Sequence, residues 1–109
     1  MFDYVEIKEG RYGRTPAAAS VDGRPTRGDR RVLELLSVFA DKNGYCYPSQ
    51  DLLAAALKVK RQVVTHHIKR LKQFGYIEIE RDYRGGSGKW PRNRYRILYP
   101  SFQLPKRRR

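Results

Sequence analysis

The sequence predicts an α+β fold in which three helices are followed by a β-hairpin. Three observations predict it. Apolar residues recur at helical spacing in three stretches between residues 29 and 74. After Gly75 the period changes to two. Two alternating runs are then joined by the Gly-rich stretch "RGGSGKWPRN", the pattern of an antiparallel hairpin.

In "GDRRVLELLSVFADKNG" the apolar positions Val32, Leu35, Leu36 and Phe39 lie on one helical face. Asp29 is the expected N-cap, and Asn43-Gly44 closes the segment. "GYCYP" is a short extended piece. Ser49 caps a second helix, "SQDLLAAALK", whose first turn holds Asp51, where a negative charge suits the helix dipole. After the connection "KVK", a third helix runs from about Arg61 to Phe74 with Val64, Ile68 and Leu71 buried and Gly75 at its end. In "YIEIERDY", Ile77 and Ile79 face one way and Glu78 and Glu80 the other. In "NRYRILYP", Tyr95, Ile97 and Tyr99 oppose Arg94, Arg96 and Leu98. Helix, short strand, helix, turn, helix, strand, loop, strand is the order of a winged helix-turn-helix: a three-helix core with a C-terminal β-hairpin wing.

This core is expected over residues 28–99. Residues 1–27 read as an N-terminal arm, with "FDYVEIKEG" a weakly alternating strand and "GRYGRTPAAASVDGRPTRG" too rich in Gly, Pro and small residues for a packed element. Residues 100–109 read as a basic tail ending in "PKRRR".

Tyr47 to Ile77, "YPSQDLLAAALKVKRQVVTHHIKRLKQFGYI", resembles the winged helix-turn-helix domains of bacterial and phage replication initiators and related DNA-binding proteins. Pro48-Ser49, Leu52-Leu53-Ala54, Val64, Ile68, Leu71 and Gly75-Tyr76-Ile77 match that pattern in register. With the first helix and the hairpin, the resemblance covers roughly Gly28 to Tyr99. It implies a DNA-binding protein of a plasmid, phage or mobile element acting in replication initiation or its control. A small transcriptional regulator and a partition or transfer accessory factor are alternatives, because one fold hosts many roles. Two positions depart from the pattern: Lys58 stands where a turn Gly is usual, and Lys60 where a Ser or Thr cap is usual.

Charge points to the same partner. Across 109 residues, 24 Lys and Arg oppose 11 Asp and Glu, a formal charge of +13. A surplus that large favours a polyanion. From Lys58 to Phe74 there is no acid, whereas a solvated helix gains from mixed signs at i,i+4. Opposite the buried row lie groups suited to a major groove. Arg61, Gln62, Thr65 and His66 are expected to face bases: Arg can fork to guanine, Gln to adenine, and Thr can touch a thymine methyl. Ser49, Lys58, Lys60, Lys69 and Arg70 are expected to face the phosphate backbone. In the wing, Arg84, Lys89, Trp90, Arg92 and Arg94 are the expected contacts, with Trp90 either pinning the wing to the body or touching the sugar-phosphate edge. Arg11 and Arg14 would let the arm reach a minor groove, unless the arm serves a homodimer on repeated or palindromic sites.

Enzymatic readings fail on chemistry. A P-loop needs Gly five residues before its Gly-Lys pair, which for Gly88-Lys89 is Tyr83, and a hydroxyl after the Lys, where Trp90 stands. Adjacent helical residues point about 100° apart, so His66 and His67 do not share a metal site. His67 is expected to pack partly against the second helix. No catalytic residue, metal, cofactor or small-molecule ligand is expected. A protein-protein assembly module built on the same scaffold is disfavoured, because the centre of such a face should be more apolar. A single cysteine, Cys46, and the lack of a membrane-spanning apolar run lead to the expectation of a soluble cytoplasmic protein.

Overall fold

The computed structural model describes residues 13–82 and 92–104. A short 3-10 helix (Ala17–Ser20) precedes α1 (Arg27–Phe39), β1 (Tyr45–Cys46), α2 (Gln50–Leu57), α3 (Arg61–Gln73), β2 (Ile77–Asp82) and β3 (Arg92–Ile97). The strands form one antiparallel sheet in the order β1-β3-β2, with Tyr45 opposite Arg96 and Ile79 opposite Tyr95. The three helices and this sheet form the expected winged helix-turn-helix. The expected strand in residues 2–9, the wing tip from Tyr83 to Pro91 and the tail from Pro105 lie outside the described residues.

The core is built where the two periodicities meet. Val32, Leu33 and Leu36 of α1, Leu53 and Ala54 of α2, and Val64, Ile68 and Leu71 of α3 close over Cys46, Ile77, Tyr95 and Ile97 of the sheet. Leu35 and Phe39, expected inside, are only partly buried, and Leu33 takes the central place. Tyr99 also departs from expectation. Strand β3 ends at Ile97, so the alternation stops and Tyr99 is 43% exposed.

Helix ends explain the boundaries. The N-cap of α1 is Thr26, not Asp29. Thr26 Oγ1 accepts the Asp29 N–H at 3.2 Å, and an Asp29 carboxylate oxygen accepts the Thr26 N–H at 2.8 Å. This capping box satisfies two of the free donors at the helix start, and it places Asp29 inside the first turn. Helix α2 ends at Leu57, one residue earlier than its sequence pattern suggests, because Lys58 turns into the left-handed region at φ 57°. Helix α3 ends in a Schellman motif: Tyr76 N–H donates to Leu71 O at 3.0 Å and Gly75 N–H to Lys72 O at 3.1 Å. Gly75, at φ 85°, supplies the left-handed residue this motif requires.

The stretch before α1 is packed, contrary to its loop-like composition. Pro16, Ala18 and Ala19 are buried, the two alanines within the core cluster. Gly13 lies so close to the α1 backbone that a Cβ there would sit 2.5 Å from the Ser37 carbonyl carbon. Tyr76 O–H donates to Asp22 at 2.8 Å, and Asp22 forks onto Arg24. Small residues permit this close approach, and composition alone does not register it.

Candidate nucleic-acid interface

The site is built on α3, whose inward row of Val64, Ile68 and Leu71 is fully buried. With about 100° per residue, the opposite side carries Gln62, His66, Lys69 and Gln73 at i, i+4, i+7 and i+11. All four are exposed. Gln62, Lys69 and Gln73 make no hydrogen bond or ion pair with the described residues. His66 meets only the edge of the His67 ring, 5.3 Å between centroids. A row of unengaged donors and acceptors on a helix with no acid is a surface prepared to hydrogen-bond something else.

The remaining sequence-predicted residues separate into groups. Lys58 and Lys60 are exposed in the turn between α2 and α3 and have no ion-pair partner among the described residues. Lys60 is the N-cap of α3 and gives no side-chain capping bond, so the first N–H groups of α3 have no capping side chain there. Ser49 caps α2, its hydroxyl oxygen accepting the Leu52 N–H at 3.0 Å. That leaves the hydroxyl proton available to donate outward. Arg61 is exposed and pairs loosely with Asp51 at 3.3 Å, a contact an incoming anion can replace.

Two residues are engaged within the protein. Thr65 sits beside the exposed row rather than on it. Its hydroxyl lies 2.6 Å from Gln50 Oε1 and 3.1 Å from the Arg61 carbonyl. Gln50 Nε2 in turn donates to the Tyr95 hydroxyl, which Asn93 also reaches, so α2, α3 and β3 are tied by one polar chain. Arg70 turns inward: its Nε donates to both oxygens of Asp29, at 3.0 and 3.2 Å, and its guanidinium lies over the Phe74 ring. His67 packs on α1 rather than α2. Its Nδ1 is 2.6 Å from Asp29, and its ring covers Gly28.

Asp29 is therefore a buried hub joining α1 to α3. Burial would push its carboxyl up, but the Thr26 N–H, His67 and Arg70 outweigh burial and hold it below the usual carboxylate range. From sequence, Asp29 is expected only as a cap. Nothing in a lone acid at a helix start announces His67 and Arg70 as partners some 40 positions away. Gln73, by contrast, was legible as the continuation of the Gln62 row by helical spacing.

In the wing, Arg94 pairs with Glu80 across the β2–β3 ladder and lies over the Tyr45 ring at 4.7 Å, with Arg96 over the same ring at 5.3 Å. Arg84, Lys89 and Trp90, the side chain of Arg92, and Arg11 lie outside the described residues. Arg14 is held against the C-terminal segment, its guanidinium 4.9 Å from the Tyr99 ring centre and its carbonyl accepting from the Tyr99 hydroxyl. Among the described residues no cluster of His, Cys, Asp or Glu could hold a metal, and no helix is long and apolar enough to cross a membrane.

An exposed polar helix following a three-residue turn, backed by two helices and flanked by a hairpin, defines the helix-turn-helix class of DNA-binding modules. Residues 26–77 match the family described as "Helix-turn-helix domain". Such domains bind DNA and are typically non-enzymatic. No curated protein and no solved structure gives a significant match to the chain.

Proposed function

We propose that the protein is a sequence-specific double-stranded DNA-binding protein of a plasmid, phage or mobile element, acting in replication initiation or its control. Helix α3 enters the major groove, and the wing lies on the adjacent groove or backbone. One observation supports this most: Gln62, His66, Lys69 and Gln73 form an exposed row opposite the buried face of a helix that has no acid. Gln62 reads adenine, His66 and Lys69 meet acceptors on base edges, and Lys58, Lys60 and the Ser49 hydroxyl hold phosphates. Arg61 joins the base contacts by releasing Asp51. Thr65 orients Gln50, and Arg70 fixes α3 on α1. The replication role rests on the resemblance of Tyr47 to Ile77; a transcriptional regulator or a partition or transfer accessory factor would use the same geometry.

The test is a titration against a selected duplex, a scrambled duplex, single-stranded DNA and RNA at several salt concentrations. The selected duplex is expected to bind tightest, with a log-log salt slope of about −5 to −7 for six to eight neutralised phosphates. Equal affinity for all four would overturn the reading. Enrichment of an origin fragment over promoter fragments from the protein's own replicon would favour the replication role.

A further inference from the structure

Val63 is a partly exposed apolar side chain, outside the core cluster, on the helix assigned to the groove. It is 38% exposed, while its neighbour Val64 is fully buried. It is the third residue of α3, between Gln62 and the His66 turn, at the end of a recognition helix that meets base edges. Helix propensity does not account for it there, since valine is a poorer helix former than the Arg, Gln and Lys around it, and it is not among the side chains packed on the core cluster. The expected apolar partner for a base, Thr65, is drawn toward Gln50 and the Arg61 carbonyl by its hydroxyl.

We propose that Val63 reads the C5-methyl group of a pyrimidine in the major groove, a thymine in unmodified DNA. The inference rests on the DNA-binding reading above and names the base class that one side of α3 selects. The major groove presents that methyl beside the thymine O4, and an apolar side chain is the natural partner for it. Because 5-methylcytosine presents the same methyl at the same place, the contact would also make the protein sensitive to cytosine methylation at that position.

The experiment selects duplexes from a random library with the full chain, then replaces each thymine of the selected site in turn by deoxyuridine, which removes only the methyl. At one position uracil is expected to weaken binding about four-fold, the factor for losing one buried methyl group. The variant Val63→Ala, whose shorter side chain withdraws from the methyl, should bind the thymine and uracil duplexes equally, with little change in melting temperature, since alanine's better helix propensity offsets the partial burial it gives up. At the same position, a C·G pair carrying 5-methylcytosine should bind wild type tighter than its unmethylated form. A uracil penalty of the same size in wild type and Val63→Ala at every position would overturn the proposal while leaving DNA binding intact. Failure to enrich any duplex would overturn both.

Discussion

Lys58 holds a left-handed backbone, φ 57° and ψ 44°, that a side chain adopts only at a cost of about 1–2 kcal/mol. It does so because it completes the end of α2: its N–H donates to Ala55 O, and the Val59 N–H reaches back to Ala54 O. Glycine would serve this turn better. Lys58→Gly should therefore raise stability by about 1 kcal/mol, read in chemical denaturation, while weakening duplex binding and making the salt slope shallower by about one unit. A stability gain without loss of affinity would remove Lys58 from the phosphate contacts. The departure from the family pattern at this residue is legible in sequence; its left-handed backbone angle comes from the structure. The engagement of Thr65 and Arg70 was not legible, because it depends on Gln50 and Asp29, which are 15 and 41 residues distant.

At the scale of elements, the joint between α1 and α3 decides how the recognition helix is presented. It is made of a fully buried carboxylate, Asp29, with His67 and Arg70 on it. Asp29→Ala would leave Arg70 without its partner and should cost about 3–5 kcal/mol. The same joint sets an acid dependence. Asp29 ionises more readily folded than unfolded, so its stabilisation is present above the unfolded carboxyl value of about 4 and is lost as pH falls through the folded value. Wild type should lose stability below about pH 4 more steeply than Asp29→Ala, measured by urea midpoints across that range. Gly28 belongs to this joint as well, because a Cβ there would lie 2.5 Å from the His67 ring. Gly28→Ala should destabilise by about 1–3 kcal/mol as an overpacked contact, and adding His67→Ala should restore much of that loss. Equal losses in the single and double variants would place the strain elsewhere. Helix and strand existence was readable because periods of 3.6 and 2 are written locally. The capping box was within reach too, since Thr26 and Asp29 have its spacing, but Asp29 itself looked like the cap.

At the scale of the molecule, the order of helices and strands followed from the change of period at Gly75, and the direction of α3 followed from its buried row. The N-terminal stretch was misread because Ala18, Ala19, Pro16 and Gly13 pack by being small, and small residues carry no hydropathy period. That packing places residues 13–26 in the structural body, so the expected division at residue 28 falls within the first turn of α1. It also ties the segment to the far end of the chain through Arg14 and Tyr99. The candidate site was legible in part: Gln62 and His66 lie on the exposed row as expected, Lys69 stands centrally on it, and Gln73 extends it. The central claim is that this row contacts base edges in duplex DNA. The most direct measurement is the affinity of Gln62→Ala/His66→Ala/Lys69→Ala for the selected duplex, taken beside its melting temperature. Since each good base contact is worth about 1–3 kcal/mol, the account predicts a loss of about 100-fold or more for the selected duplex, a smaller loss for the scrambled one, and an unchanged melting temperature. Undiminished preference for the selected duplex in the triple variant would contradict it.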